Sequence, residues 1–476
     1  MTTPQMLTTR HETIQLNQTD IDTFKRGFRG NLILPSDANY DHARTIWNAM
    51  IDKHPALIAQ CTGTADVIHA VRFARQHDLF VAVRGGGHNV AGSALCDDGL
   101  VIDLSLMKGI HVDPEQRIAR AQPGVIWGEF DHETQTFGLA TPGGIVSETG
   151  IAGLTLGGGF GWLTRQYGFT CDNLRSVNVV TVEGQRVKAN SAENADLFWG
   201  IRGGGGNFGI VTSLEYTLHP VGPDILGGVI IYPLEQASAV LQFYRDFTAT
   251  ASRELGSMAV FRTAPPAPFI PESLRGKPVL GIIVCYTGGL DKGTEVLKPL
   301  RDFGTPIVDA IKTTRYVDHN SSLDAGQPKG MQYYWKSEYL HKIPDDAIET
   351  CIRYASDMTS PHTRVALFQL GGALQDHDEM SMAVSHRDAE YVLGINSGWK
   401  DPDDNKQQMQ WTRDFWTAMK PYSTGGVYVN FLSQDDGQAR VRAAYGNEKY
   451  EQLGRLKDKY DPSNVFQVNQ NIKPSS

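Results

Sequence analysis

The chain has 476 residues, of which 44 are Lys or Arg and 53 are Asp or Glu, so its formal net charge is −9. No basic cluster stands out, which argues against nucleic acid and against an anionic membrane surface as partners. A chain of this length exceeds the size at which one hydrophobic core usually stops growing, so two domains are expected.

Residues 1–10 hold no apolar segment of the kind found in a secretion signal. No run of about 18 apolar residues occurs, so no conventional membrane span is expected. The five cysteines are odd in number and widely separated, which fits neither a disulfide framework nor a zinc site. We therefore expect a cytoplasmic protein with free thiols and no metal.

In chain order, residues 20–55 are expected to be helical and rich in loops. From residue 55 to about 220, short β-like runs alternate with candidate helices. A helix is predicted over 64–74, with Thr64 or Asp66 near its cap. Strands are predicted at 79–83, 100–104, 117–121 and 177–182.

A glycine-rich loop directly follows the apolar run at 79–83. Three consecutive glycines, Gly85, Gly86 and Gly87, leave backbone N–H groups open to close approach by phosphate oxygens. Arg84 adds positive charge beside them, and His88 stands at the loop's exit, where a cofactor ring could reach its imidazole. Alone the loop is weak evidence, because many tight turns look like this.

A second glycine-rich segment holds eight glycines between Gly143 and Gly161. That number is too high for a helix or an ordinary strand, and it suits a thin wall for a flat, phosphate-bearing ligand. The alternative is a glycine-rich hairpin that binds nothing. Two such segments, each beside apolar strands, favour the ligand site.

A third segment, Gly204 to Gly209, satisfies the G-x-G-x-x-G pattern by letter. The residues that follow it, 210–216, predict a strand where a nicotinamide dinucleotide site requires a helix, so we reject that reading. Phosphate-binding P-loop, H-E-x-x-H and G-x-S-x-G motifs do not occur, which argues against phosphoryl transfer, zinc proteolysis and serine hydrolysis.

Past residue 220 the strands become longer and alternate in polarity. They are predicted at 227–232, 258–262, 279–286, 363–370 and 390–399, with helices near 234–251, 292–303, 344–357 and 403–419. This pattern predicts an antiparallel sheet with helices on one face.

The pairing of Arg84-Gly-Gly-Gly-His88 with Gly153-Leu-Thr-Leu-Gly-Gly-Gly-Phe-Gly161 resembles the FAD domain of the vanillyl-alcohol oxidase/p-cresol methylhydroxylase superfamily. Within it, the chain is similar to the berberine-bridge-enzyme-like flavin oxidases, also over residues 195–212, 445–450, 459–466 and 469–472. The resemblance implies an α+β fold with an FAD-binding domain formed by residues 1–219 and 425–476. The substrate domain, over 220–424, is then an insertion.

The resemblance also implies FAD bonded covalently through its 8α-methyl group to His88. Many relatives carry a second, cysteinyl tether, and Val146 occupies that position here, so we expect a single tether. The implied cofactor-binding residues are Arg84, Gly85, Gly86, Gly87, His88, Asn89, Gly92, Thr149, Gly150, Gly153, Gly157, Gly158, Gly159, Gly161, Val211, Asn469 and Asn471.

For the chemistry, Tyr428 and Asn430 are the expected catalytic pair. In a strand their side chains point to the same face, and the resemblance places them over the flavin. A tyrosine with a lowered pKa could take a substrate proton while hydride leaves to flavin N5. The alternative is a half-buried strand aromatic, which is common.

Substrate contacts are expected from five further residues, each as easily explained by core packing: Tyr334, Trp335, Lys336, Gln369 and Asn396. Gln369 lies on its own predicted strand, and Asn396 lies on a strand predicted to be central. The sequence His386-Arg387-Asp388 reads as a structural cluster rather than a catalytic triad, because no serine nucleophile motif accompanies it.

The resulting expectation is an FAD-dependent oxidoreductase that oxidises an alcohol or amine carbon of a small molecule and is reoxidised by O2. At the position that can block oxygen in this family stands Thr149, which is not bulky and favours an oxidase. Two alternatives stay open. One is a tailoring oxidase or cyclase of a secondary metabolite, and the other is a flavin dehydrogenase with an acceptor other than O2.

Overall fold

The structure, a computed structural model, describes residues 4–266 and 270–475. In these residues the strands form sheets of four, five and eight strands and two isolated pairs. The pairs are Gln5–Leu7 with Thr13–Gln15 and Leu139–Ala140 with His219–Pro220. No helix of the described residues is long and apolar enough to cross a membrane. All five cysteines are buried free thiols.

The four-stranded sheet places the first glycine-rich loop. Its strands, in spatial order, are Asn31–Ile33, Leu57–Gln60, Leu100–Asp103 and Val81–Arg84. The last three run parallel, so the loop after Arg84 leaves the sheet at the edge where the strand 100–103 also ends.

The predicted helix over 64–74 is confirmed as Thr64–Gln76. Its N-cap is Gly63, without a side-chain hydrogen bond, and Thr64, predicted near the cap, is the first residue of the helix. The Asp66 carboxylate instead accepts hydrogen bonds from the backbone N–H groups of Thr62 and Arg29. Asp66 therefore fastens the neighbouring loops rather than the helix end.

The five-stranded sheet is antiparallel and carries the second glycine-rich segment on one side. Its strands are Arg186–Asn190, Leu174–Val180, Ile210–Thr217, Ile118–Ala121 and Ile110–Asp113. The strand predicted after Gly209 is confirmed, which supports the rejection of a nicotinamide dinucleotide motif.

The prediction that the second segment excludes a helix was wrong. Residues Ile151–Leu156 form a short helix between Gly150 and Gly157. Only Gly153 of the eight glycines lies inside it, so the cost in helix propensity is that of one residue. Burial of Ile151, Ala152 and Leu156 offsets that cost.

The eight-stranded sheet is antiparallel, as the sequence predicts. Its strands are, in spatial order, Val308–Asp309, Asp224–Pro233, Pro278–Tyr286, Leu255–Thr263, Arg364–Gln369, Tyr391–Trp399 and Gln332–Leu340, and Lys312–Arg315 also pairs with Asp224–Pro233. The edge strand 332–340 was not predicted. The strand 391–399, expected to be central, is second from that edge.

Helices cover one face of this sheet, which confirms the predicted layering. The four long ones are Ala237–Ala249, Leu290–Arg301, Asp345–Ser356 and Asn405–Met419. Their apolar sides share a core with Leu367 and Leu393 of the sheet. The opposite face, which carries Val260 and Phe368, packs on Phe160 and Tyr428.

The chain then returns to its first half. Helices Gln438–Tyr445 and Asn447–Tyr460 pack so that Val441 and Leu453 share a core with Val177 and Leu214. The strand expected over 425–431 was wrong, since residues Val429–Phe431 form a turn of 3₁₀ helix. The domain boundaries at 219/220 and 424/425 stay a prediction.

The remaining α-helices are Gln18–Gly27, Tyr40–Arg44, Trp127–Gln135, Thr164–Tyr167, Ala195–Ile201 and Tyr316–Asn320.

Candidate active site

A cavity of about 300 Å³ lies between the glycine-rich segments, the uncovered face of the eight-stranded sheet and residues 466–470. Among the predicted residues, its walls include Gly85, Gly86, Gly87, His88, Asn89, Val146, Thr149, Gly150, Gly153, Gly157, Val211, Trp335, Asn396, Tyr428, Asn430 and Asn469. Segments from every part of the chain therefore meet at one site, mostly as backbone or apolar surface.

The glycines form a wall without side chains. At Gly86 and Gly150 the two backbones pass so closely that a Cβ on Gly86 would lie 2.6 Å from the Gly150 Cα. At Gly153 and Gly206, by contrast, a Cβ would meet no protein atom within 4 Å, because these residues face open space. A flat ligand can thus lie directly against the backbone.

His88 lies at the cavity wall, and one nitrogen of its ring has no hydrogen-bond partner among the described residues. That nitrogen is the buried Nε2. Burial lowers the pKa of His88 to about 4, so the imidazole is neutral at physiological pH. The ring stacks on Trp47 with centroids 4.2 Å apart, and Trp47 stacks on Tyr333 at 3.8 Å. This aromatic column fixes the orientation of the imidazole.

Arg84 does not line the cavity, contrary to the expectation that it would stand beside the phosphates. Its Nη1 donates to the Ala43 carbonyl oxygen at 2.5 Å, and its Nε lies 4.0 Å from the Asp103 carboxylate. Because side chains alternate along a strand, Arg84 points to the face opposite the cavity, where it connects the loop to neighbouring segments. The positive charge of Arg84 therefore faces protein acceptors and not the cavity.

Five other predicted cofactor residues also lie outside the lining: Gly92, Gly158, Gly159, Gly161 and Asn471. Gly159 has a different task, because its N–H donates to the Tyr428 hydroxyl at 3.1 Å. Gly161 lies against the Gly143 carbonyl, where a Cβ would come within 2.0 Å of the oxygen. These glycines shape the wall from behind rather than face the cavity.

Tyr428 and Asn430 meet each other, although not as strand neighbours. The Asn430 Nδ2 donates to the Tyr428 hydroxyl at 2.8 Å and to the Leu154 carbonyl at 3.2 Å. Burial raises the pKa of Tyr428 well above its ordinary value, so the expected lowering was wrong. Both hydrogen bonds to this phenol are donated to its oxygen, which leaves its own proton without an acceptor in the described residues.

Aromatic rings surround the Tyr428 end of the cavity. Phe160 lies 4.7 Å from Tyr428 and 5.2 Å from Phe368 between ring centroids, and Phe431 lies 5.0 Å from Tyr428. Trp335 closes the group at 5.3 Å from Phe431. Such a box binds planar or apolar groups and excludes water from them.

Of the five predicted substrate contacts, Trp335 and Asn396 line the cavity and three do not. The Tyr334 hydroxyl donates to Asp435, and Lys336 pairs with the same carboxylate at 2.9 Å. Gln369 accepts from Ser257 and donates to the Thr248 carbonyl beneath a helix. All three point to the opposite face from their strand neighbours, because side chains alternate along a strand.

The His386-Arg387-Asp388 sequence is structural, as expected. The Arg387 guanidinium makes two hydrogen bonds to the Asp172 carboxylate, at 2.6 and 3.0 Å, and both side chains are buried. His386 contacts the Ala443 carbonyl through Nε2.

Several residues that complete the site were not predicted from the sequence. Trp47 positions His88, Gln327 lines the cavity, and the rings of Phe160, Phe368 and Phe431 build the aromatic box. These residues are far apart in the chain and carry no local pattern. Only the three-dimensional structure shows that they belong to one site.

Comparisons with known proteins agree with this geometry. Residues 55–190 match the model of an FAD binding domain, and residues 427–473 match that of berberine and berberine-like proteins. An FAD-linked oxidoreductase of Dictyostelium discoideum is 32% identical over 431 residues, covering 90% of this chain and 91% of the relative. The (R)-6-hydroxynicotine oxidase of Paenarthrobacter nicotinovorans is 30% identical over 458 residues, covering 94% and 97%.

Among solved structures, 6-hydroxy-D-nicotine oxidase from Arthrobacter nicotinovorans superimposes with a TM-score of 0.84 at 28% identity, over 94% of this chain and 98% of that one. A carbohydrate oxidase from Microdochium nivale shares the fold, with a TM-score of 0.83 at 23% identity over 96% and 100% of the two chains.

Proposed function

The chain belongs to the berberine-bridge-like FAD-linked oxidoreductases, and on this premise we propose that it is an oxidase with FAD bonded to His88. It removes two electrons and two protons from the alcohol or amine carbon group of a small substrate and delivers them to O2, which becomes hydrogen peroxide. Bound FAD supplies the hydride acceptor for that reaction.

The observation that carries this proposal is the state of His88. A nitrogen that forms a C–N bond must have a free lone pair, and a neutral imidazole with an unpartnered Nε2 provides it. The stacking on Trp47 holds the ring against the cavity, so the bond does not require the ring to reorient. Val146 lines the same cavity with an apolar side chain, which supports one tether and not two.

The glycine wall fits the remainder of the cofactor. Open backbone at Gly153 and Gly206 leaves room for a dinucleotide, and N–H groups of the loop 85–89 suit its phosphates. Asn469 adds a buried side-chain oxygen, Oδ1, that has no partner among the described residues. Because Asn469 lines the cavity, this unpaired oxygen can accept a hydrogen bond from a ligand there.

Tyr428 holds the substrate in this proposal. Its neutral phenol, oriented by Asn430 and by the Gly159 N–H, can donate a hydrogen bond to the substrate oxygen or nitrogen. That makes it an anchor in the resting enzyme. The aromatic box around it favours a planar or apolar substrate over a polyhydroxylated one, because the latter needs many polar partners.

Acid precipitation of the purified protein tests the tether. The expected result is that flavin absorbance stays with the wild-type pellet and with His54→Ala, whose histidine is exposed. In His88→Ala the flavin should be released into the supernatant. Wild-type protein that frees its flavin would contradict the covalent bond, and a mutant that retains it would indicate a second attachment.

The acceptor is tested separately. Wild-type enzyme, reduced without oxygen by a panel of aromatic amines, alcohols and sugars, is mixed with air-saturated buffer. Rapid reoxidation with one peroxide per turnover is expected of an oxidase. Slow reoxidation by O2, with rapid reoxidation by an artificial dye, would replace the oxidase by a dehydrogenase.

A further inference from the structure

Two arginines, Arg262 and Arg364, lie side by side on the face of the eight-stranded sheet that carries the cavity. They are direct partners in the antiparallel register of strands 255–263 and 364–369. Directly opposed residues point to the same face with Cβ atoms about 5 Å apart. Like charges in this position destabilise a sheet unless something lies between or above them.

The same row leads into the cavity. Arg364 is also the register partner of Asn396, which is in turn the partner of Trp335. Asn396 and Trp335 both line the cavity. The Arg364 guanidinium rests against Gly326, where a Cβ would lie 2.9 Å from Nη2, and the next residue, Gln327, is another cavity wall. The two arginines therefore lie next to residues of the cavity wall, although neither of them lines the cavity itself.

Neither arginine has an acidic partner among the described residues. In residues 4–266 and 270–475, Arg364 makes no hydrogen bond or ion pair, and Arg262 donates only its Nε to the Thr263 carbonyl at 3.3 Å. The residues outside this description, 1–3, 267–269 and 476, have no charged side chain. Burial, and then the charge of Arg262, lowers the pKa of Arg364 to about 10, so it remains protonated at neutral pH.

This pairing is unusual for the molecule. Its net charge is −9. The Arg387 and Arg440 guanidinium groups pair with the Asp172 and Glu338 carboxylates, and the buried Arg165 donates to two backbone carbonyl oxygens. Two cations without a counter-charge in a partly dehydrated place are costly. Adjacent guanidinium forks bind a carboxylate or phosphate through several charge-assisted hydrogen bonds, which offsets that cost.

We propose that Arg364 and Arg262 bind an anionic group of the substrate, an inference that rests on the oxidase function proposed above. The oxidisable carbon then lies in the aromatic box near Tyr428 and Phe368. Phe368 is four residues beyond Arg364 on the same strand, about 13 Å between Cα atoms. The substrate is an elongated aromatic alcohol or amine that carries a carboxylate or a phosphate at its far end.

Calorimetric titration of the purified holoenzyme with biphenyl-4-carboxylate and biphenyl-4-carboxamide tests this site. The two probes have the same shape and differ in charge. We expect wild type to bind the carboxylate about 10- to 100-fold more tightly, as for a hydrogen bond to a charged group. Biphenyl-4-yl phosphate is the third probe, and tighter binding of it than of the carboxylate identifies a phosphorylated substrate.

Variants locate the effect. In Arg364→Gln and in Arg262→Gln the preference for the charged probe should fall by about 10-fold or more, whereas Arg364→Lys should keep part of it. Arg455→Gln removes the same charge from an exposed position and should bind both probes like wild type. In wild type the preference should also shrink as salt is raised.

Equal binding of carboxylate and amide by wild type would overturn the proposal without any variant. A preference that survives in both glutamine variants would overturn it as well. Because the titration measures binding and not turnover, a failure of the tether or oxygen experiments leaves its result readable, and the reverse also holds.

Discussion

The backbones of Gly86 and Gly150 touch at the cavity wall, where a Cβ on Gly150 would lie 2.7 Å from the Gly86 Cα. Neither residue has a positive φ, so their conformation is open to any amino acid. The close contact alone requires glycine at both positions. Through it, the loop that carries His88 is pressed against the start of helix 151–156.

Replacing Gly150 with Ala should therefore separate the two glycine-rich segments. The added methyl group meets backbone rather than a mobile side chain, so the loop or the helix must shift. We expect a lower melting temperature and a sharp loss of flavin per protein, measured by differential scanning fluorimetry and by the ratio of absorbance at 450 and 280 nm. An unchanged melting temperature would show that the contact is loose.

Gly153→Ala is the matched substitution on the same helix. Its Cβ meets no protein atom within 4 Å, so the apoprotein should fold normally, and alanine in place of glycine favours a helix by about 1 kcal/mol. The methyl group nevertheless enters the cavity. We expect unchanged or higher thermal stability together with reduced flavin content. Full flavin content would mean that no ligand lies against this residue.

Tyr428→Phe tests the phenol as a neutral hydrogen-bond donor. Because burial raises the pKa of Tyr428, kcat/KM of the wild type should show no tyrosine ionisation below about pH 10. The phenylalanine variant should lose about 10- to 100-fold in kcat/KM with the same pH profile. A rising limb near neutral pH that disappears in the variant would instead assign the phenol as a base.

Asp131 should make stability depend on pH. Burial raises its pKa to about 7, and its only hydrogen-bond donor in the described residues is the Asn320 Nδ2 at 2.6 Å. In the unfolded chain this carboxyl ionises near pH 3.9, roughly three pH units lower. The unfolded state thus releases its proton first, and the stability present below about pH 4 is lost as the pH rises towards 7.

Asp131→Asn should then stabilise the protein at pH 8 relative to wild type, by up to about 4 kcal/mol more than at pH 4. Urea unfolding at the two pH values measures the difference. Asp357→Asn, at an exposed helix end, should change little at either pH. If the Asp131 variant gained nothing at pH 8, the carboxylate must be ionised and solvated inside the fold.

Arg387 and Asp172 should contribute strongly to stability as a pair. Their side chains are 3% and 2% exposed, so removing one partner leaves an unpaired buried charge. Arg387→Gln is expected to cost about 3–5 kcal/mol in urea unfolding. The exposed pair Arg253–Asp376, at 52% and 53% exposure, offers the comparison, and Arg253→Gln should cost no more than about 1 kcal/mol. Equal losses would contradict the role of burial.

Periodicity and glycine content predicted much of this architecture. Strand alternation located most of the large sheet, and the glycine motifs brought His88, Thr149 and Gly150 to one cavity. Strand alternation and glycine motifs are local features of the sequence, so they can be read from the spacing of residues along the chain.

The predictions that were wrong depended on which face of a strand a side chain occupies, or on contacts between residues that are distant in the chain. Phe368 faces the cavity and Gln369 the helices, because a shift of one residue reverses a strand's faces. Arg84 points away from the cavity for the same reason. Trp47 stacks on His88 although the two are distant in the chain, and no local sequence pattern predicts the contact. The paired arginines become neighbours only through the register of two strands.

The segments that line the cavity are synthesised in the order of the chain. The loop 85–89 and the helix 151–156 are synthesised early, whereas Phe466, Asn469 and Gln470 close the same space more than 300 residues later. A nascent chain that lacks this last segment exposes an unfinished groove. We therefore expect stable cofactor binding only after residue 470 is in place, so that a chain truncated before it should contain little flavin even where both glycine motifs are intact.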